Sequence, residues 1–157
     1  MVFSVKLASI GDKQVIRGLL QPYLEELSKL PGEDVDYRDE AGVYHYPYLD
    51  ACWLEAERFP YLLYAKNNLA GFAMVRKDGD HWEMAEYYVV RRFRQRGVGK
   101  AAAAQILERH KGEWRIGFNK HNEPARALWI KLAASLAVGG VEQGEADAAH
   151  AYVRFSV

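Results

Sequence analysis

The chain has 157 residues, half of them hydrophobic, enough to enclose a core without disulfides or metals, and reads as a single domain over residues 1–157. Its 21 basic and 21 acidic residues cancel, so no global electrostatic argument favours nucleic acid or an anionic membrane as partner. Cys52 is the only cysteine, which excludes an intrachain disulfide and a multi-cysteine metal site; with no long apolar stretch for export or membrane crossing, a cytoplasmic location is expected.

Phe3 to Leu7 alternates apolar with polar and predicts a first strand, and Ser9 or Asp12 is placed to cap the helix that follows. Val15, Ile16, Leu19, Leu20, Tyr23, Leu24 and Leu27 recur at helical spacing, with Pro22 expected to kink or split that helix. Pro31-Gly32 ends it. From Glu33 to Phe59 the pattern is irregular, acidic and aromatic, with Tyr37, Tyr44, His45, Tyr46, Tyr48 and Trp53 close together. So long a connection suits a lid or a binding wall, and tyrosines combine an apolar face with a polar tip. Tyr44, Tyr46 and Tyr48 are therefore candidate substrate contacts, and Asp34, Asp36, Asp39, Glu40 and Asp50 beside them hint at a cationic substrate. Asp50 is a candidate cap for a short helix running to about Arg58.

Residues 61–65, 69–75 and 82–90 read as three consecutive strands of an antiparallel meander, joined at Lys66-Asn67-Asn68 and Asp78-Gly79-Asp80. A helix follows Gly97 and runs to about His110; Trp114 to Phe118 is the next strand, parallel to the one before the helix. Asn122 caps another helix with Pro124 in its first turn, Gly139-Gly140 breaks the chain, and Ala151 to Val157 closes it as a strand. The expected fold is α/β, a mixed sheet of about six to seven strands with helices on both faces.

The stretch from Val89 to Lys100 is an apolar strand end, a basic glycine-containing turn and the start of an alanine-rich helix. Glycines let backbone approach an anion, and a helix N-terminus offers free N–H groups and partial positive charge. Gly97-Val98-Gly99-Lys100 lacks the upstream glycine and the following Ser or Thr of a nucleotide phosphate loop, and Ala102 occupies the third glycine position of a dinucleotide fingerprint. Arg94-Gln95-Arg96-Gly97-Val98-Gly99 instead resembles the coenzyme A pyrophosphate loop of the GCN5-related N-acetyltransferase (GNAT) family. A second pattern, Asn122-x-x-Ala125-x-x-Leu128-Trp129, resembles that family's signature on the helix after the fifth strand. The wording around both motifs is similar to a bacterial subgroup of predicted acetyltransferases.

The resemblance implies two splayed parallel strands with the pantetheine arm of acetyl-coenzyme A between them. It implies cofactor contacts at Tyr88, Val89, Val90, Arg94, Gln95, Arg96, Gly97, Val98, Gly99 and Lys100 on one side, and at Asn122, Ala125 and Trp129 on the other. It also makes a homodimer the expected assembly. Transfer to an amine needs a base, because an amine of pKa about 10 is mostly protonated near neutral pH. Glu86, a carboxylate in an apolar-rich strand, is the candidate, and the Val89 N–H is the candidate donor to the developing oxyanion. Trp129 stands where many relatives carry a tyrosine that protonates the leaving thiolate; an indole N–H is no useful acid, so Tyr87 or Tyr88 substitutes or the thiolate leaves unaided. The expected activity is acetyl transfer to an amine on a small molecule or protein, with no metal. The alternatives are a non-catalytic acyl-coenzyme A binding module and, against the neutral charge, a nucleic-acid patch at Arg91 to Lys100.

Overall fold

A computed structural model describes residues 2–35 and 38–157. Strand β1 (Phe3–Leu7) leads through a short 3-10 turn into helix α1 (Lys13–Leu27), and a long segment holds the single-turn α2 (Ala51–Leu54). Strands β2 (Arg58–Ala65), β3 (Asn68–Asp78) and β4 (His81–Val89) form the meander. They are followed by α3 (Val98–Arg109), β5 (Glu113–Asn119), α4 (Glu123–Leu136), β6 (Glu142–Glu145) and β7 (His150–Ser156). The seven strands form one sheet in the order β1-β2-β3-β4-β5-β7-β6. All neighbours are antiparallel except β4 and β5.

Each face of the sheet carries its own core. On one face, Ala102, Ala103, Ile106 and Leu107 of α3 and Trp129, Leu132 and Ala133 of α4 bury against Leu63, Val75, Trp114, Ile116 and Val153. Small alanines let α3 lie close to the strands, and Trp114, fully buried, donates its indole N–H to the His110 carbonyl at 2.8 Å. On the other face, Ile16, Leu20 and Leu24 of α1 cover Leu62, Phe72, Met74 and Tyr88, and Cys52 packs there too. Burial pushes the Cys52 thiol up to about 11, in keeping with a packing role.

Several sequence expectations change in detail. Pro22 lies inside an unbroken α1, because the buried stripe on the opposite face holds the helix to the sheet, while Val15 from the expected stripe is exposed. Asp50 does precede α2 but caps nothing with its side chain, pairing instead with Lys13, and α2 stops at Leu54. Strand β6 was not expected, since Glu142-Gln143-Gly144-Glu145 has no apolar alternation; it pairs only with β7 at the sheet edge. Among the described residues, no helix is long and apolar enough to cross a membrane.

Candidate active site

Strands β4 and β5 share a single ladder pair, Trp82 with Trp114, and then part. The gap between them is a cleft of about 430 Å³, within the size range of small-molecule sites, open to both faces of the sheet. Its β4 wall presents unused backbone. The Val90 N–H donates to the Ala70 carbonyl of β3 at 2.7 Å, so by strand alternation the Val89 amide points the other way, toward the gap. Arg94 Nε donates to the Val89 carbonyl at 2.9 Å, and its guanidinium holds both oxygens of Glu26 at 2.8 and 3.1 Å. This brace fixes the end of β4 against α1. Gly71 on β3 lets it sit there: a Cβ at that position would lie 2.0 Å from the Tyr88 carbonyl oxygen.

At the end of β4 the basic turn leaves a run of backbone N–H groups exposed ahead of α3. Gln95 (φ 60°) and Gly97 (φ 81°) both adopt left-handed conformations, which fold the turn over the start of α3. The first bond into the helix is Ala101 N–H to the Gly97 carbonyl at 3.0 Å, and the N–H groups from Gln95 to Lys100 donate to nothing else among the described residues. No atom comes within 4 Å of the space beyond Gly97 where a side chain would project. Gln95, Arg96 and Lys100 are exposed, Val98 is buried beneath them, and neither Arg96 nor Lys100 has a carboxylate partner among the described residues.

Glu86 lines the cleft on the α1 face, in regular alternation with Tyr87 and Tyr88, just after a bulge in β4. Met74 pairs with Glu86 but Val75 pairs with Met84, so Ala85 is the extra residue. Met84 and Tyr87 accordingly pack on the α3 face, whereas Ala85 and Glu86 both turn to the α1 face. There the Tyr23 hydroxyl donates to Glu86 Oε1 at 2.6 Å and the Tyr46 hydroxyl to Oε2 at 2.9 Å. Burial raises the Glu86 pKa above the usual carboxylate value; the two phenols pull it back and Glu33 adds to the rise. Both phenols are pushed upward, by burial first and by the Glu86 charge second, and so stay protonated as donors.

The opposite wall comes from α4. Asn122 caps the helix, its Oδ1 accepting the Ala125 N–H at 3.2 Å, and Asn122, Ala125 and Trp129 line the cleft. The Trp129 ring meets Tyr87 edge-on with centroids 5.1 Å apart, and the Tyr87 hydroxyl donates to the Gly99 carbonyl at 2.5 Å. Burial pushes the Tyr87 phenol up, making it a poorer proton donor than a free tyrosine. Tyr88 faces the α1 core beside Tyr23 and Phe72, and burial raises its phenol likewise; the β4 residues that line the cleft run from Glu83 to Tyr87.

Not every residue anticipated from sequence converges here. Tyr44 bonds Glu25 and lines a separate depression of about 230 Å³ with Lys13, Arg17, His45 and Tyr46; Tyr48 is exposed with the Arg58 guanidinium 4.9 Å over its ring. Asp34, Asp39, Glu40 and Asp50 are exposed, and Asp36 and Tyr37 lie outside the described residues. His121 is solvent-exposed. Conversely, sequence reading passed over Tyr23, counted only as part of an apolar stripe, and over Glu33, Asn119, Asp147 and His150, which meet at the α1 side of the cleft. The sole local signal was a polar Asn119 closing an alternating strand. Asp78, His81 and Glu83, the last of which also lines the cleft, place ligand-type atoms within 4.8 Å of one another, but Arg76 already bridges Asp78 and Glu83 at 3.1 and 3.0 Å.

Comparison with known proteins agrees with this geometry. The chain superposes on the PaiA N-acetyltransferase from Thermoplasma acidophilum in complex with coenzyme A (TM-score 0.67, 13% identity, 100% of both chains covered). It also superposes on an acetyltransferase from Thermus thermophilus (TM-score 0.71, 11% identity, 100% of this chain and 98% of that one). A third likeness is the ribosomal-protein-S18-alanine N-acetyltransferase from Escherichia coli (TM-score 0.61, 12% identity, 99% and 93% covered). No curated protein matches at the sequence level. Residues 23–133 match the family model described as the acetyltransferase (GNAT) family, and the chain, with its parted parallel strands and its amide-lined turn before α3, belongs to that family.

Proposed function

We propose that this protein is an N-acetyltransferase that moves an acetyl group from acetyl-coenzyme A to an amine on a small molecule or protein, by direct attack on the thioester. The observation that carries this reading is the pairing, on one strand, of an outward-facing Val89 amide with a cleft-lining Glu86 carboxylate held by two tyrosines. The N–H groups from Gln95 to Lys100 would receive the pyrophosphate, with Arg96 and Lys100 adding charge, while Arg94 braces the Val89 carbonyl rather than offering a free cation. The pantetheine arm would run between the backbone of Tyr88 to Val90 and the wall of Asn122, Ala125 and Trp129.

The amine enters from the α1 side, where Glu86 accepts its proton directly or through water. Its lone pair forms the C–N bond, the carbonyl oxygen gains charge against the Val89 N–H, and the C–S bond then breaks to release the thiolate. Orientation by the two walls supplies much of the remaining acceleration. No tyrosine serves as thiolate acid in this scheme: Tyr87 is committed to Gly99, and Trp129 is a wall. A thiolate leaves without that help.

Because Trp129 replaces the tyrosine of many relatives, a non-catalytic acyl-coenzyme A binding module is the second reading. Thiol release from acetyl-coenzyme A with a panel of amines separates the two. Turnover that falls about 100-fold or more in Glu86→Gln, with coenzyme A affinity unchanged, is the expected result. Binding without turnover for any amine supports the module, and no binding at all overturns both.

A further inference from the structure

The α1 side of the cleft holds a second carboxylate, placed with as much care as Glu86. Asn119, buried at the end of β5, donates its side-chain N–H to the Pro31 carbonyl at 2.8 Å, pinning the chain just after α1 to the sheet. Gly32 then passes directly over Ala149; a Cβ there would lie 2.3 Å from the Ala149 methyl, and the φ of +80° is one that side chains disfavour. The result is to deliver Glu33 to the mouth of the parted strands, where it lines the same cleft as Glu86.

Glu33 is oriented through one oxygen only. His150 Nε2 meets Oε1 at 2.9 Å and Asn119 Nδ2 approaches the same atom at 3.3 Å, while Oε2 has no partner among the described residues. His150 is itself held by both oxygens of Asp147, at 2.9 and 3.1 Å, and Asp147 is fixed by the Ala149 and His150 amides. Even with His150 protonated, the Asp147-His150-Glu33 chain carries net negative charge. The nearest cation on this wall, Arg115, lies over the Tyr152 ring at 4.2 Å and forms no ion pair among the described residues. An uncharged wall would serve a simple amine equally well.

Resting on the acetyltransferase reading above, we propose that Glu33 is a specificity-determining residue and that the acceptor carries a second cationic group, held by Glu33 while the reacting amine faces Glu86. The acceptor class is then a di- or polyamine, or a peptide amine with a basic neighbour, rather than a monoamine. The second charge binds as a salt bridge in a cleft partly shielded from water, where such a pair is stronger than at an open surface.

The test compares α,ω-diamines from propane to hexane with n-alkylamines of the same carbon count, by thiol release, for the native chain and Glu33→Gln. Glutamine keeps the shape and the acceptor oxygen for His150 and Asn119, so folding is preserved; coenzyme A affinity and thermal midpoint check this. The native chain is expected to favour at least one diamine about tenfold or more in kcat/KM, about 1.4 kcal/mol. Glu33→Gln is expected to erase that preference through the diamine KM, bringing diamine kcat/KM down to that of the matched monoamine in the same variant. Equal use of mono- and diamines by an active native chain, or a preference that survives Glu33→Gln, overturns the proposal and leaves the acetyltransferase reading intact. No turnover of any amine overturns both.

Discussion

Removing one phenol from Glu86 is the sharpest probe of how this carboxylate is tuned. In Tyr46→Phe the 2.9 Å bond to Oε2 is lost while Tyr23 still donates to Oε1 at 2.6 Å. A hydrogen bond to a charged acceptor is worth about 1.5–3 kcal/mol, and water reaching this half-buried carboxylate makes good roughly half of it. The remaining ~0.75–1.5 kcal/mol corresponds to about half to one pH unit. The bond favours the ionised form, so its loss moves the Glu86 titration upward, in the same direction as burial. Carbon-13 NMR of glutamate-labelled protein, with Glu86 assigned through Glu86→Gln, reads that midpoint directly. The acid limb of kcat/KM for an amine of low pKa should move with it. An unchanged or lowered midpoint in a folded Tyr46→Phe protein would refute the clamp and leave Tyr46 as packing.

Three further outcomes follow from the geometry. Because the folded-state pKa of Glu86 is raised, its ionisation works against folding: its contribution is favourable below the unfolded value and lost as pH rises through the folded one. Glu86→Gln should therefore gain thermal stability relative to the native chain at pH about 7–8, and lose that advantage near pH 4, in paired melting curves. Gly71→Ala places a methyl 2.0 Å from the Tyr88 carbonyl oxygen and must displace β4; denaturant unfolding should register a loss of about 1–3 kcal/mol together with weaker coenzyme A binding. Trp129→Phe keeps an aromatic ring against Tyr87 but removes the indole N–H together with one fused ring from a buried site, so the thermal midpoint should fall while kcat stays within about threefold. A collapse of kcat at unchanged coenzyme A affinity would make that N–H part of the chemistry.

What the sequence determined by itself is whatever depends on neighbours in the chain. The Arg94 to Gly99 turn, the Asn122 cap and the periodicities of α1, α3 and α4 are local patterns, set by backbone freedom, helix-end amides and 3.6-residue spacing. Glu86 also stood out, since a carboxylate among apolar residues is costly to bury without a purpose. Its partners did not. Tyr23 and Tyr46 lie 63 and 40 residues away along the chain, and Tyr46 differs from Tyr44 and Tyr48 in nothing that composition records.

Tertiary structure alone decided which of those tyrosines meets the base, because the choice depends on where the segment after α1 crosses the sheet. It likewise decided the bulge at Ala85, which puts Ala85 and Glu86 on the same face and sends Met84 to the α3 core, against strict alternation along β4. Of the acids in the stretch after α1, Asp34, Asp39, Glu40 and Asp50 are exposed, and Glu33 alone of those described lines the cleft. A charge run announces itself in sequence, but whether one of its members reaches a site is set by distant contacts. Here they are the Asn119 amide, Ala149 under Gly32 and the His150 ring, with Asn119 and His150 lying 86 and 117 residues beyond Glu33 along the chain.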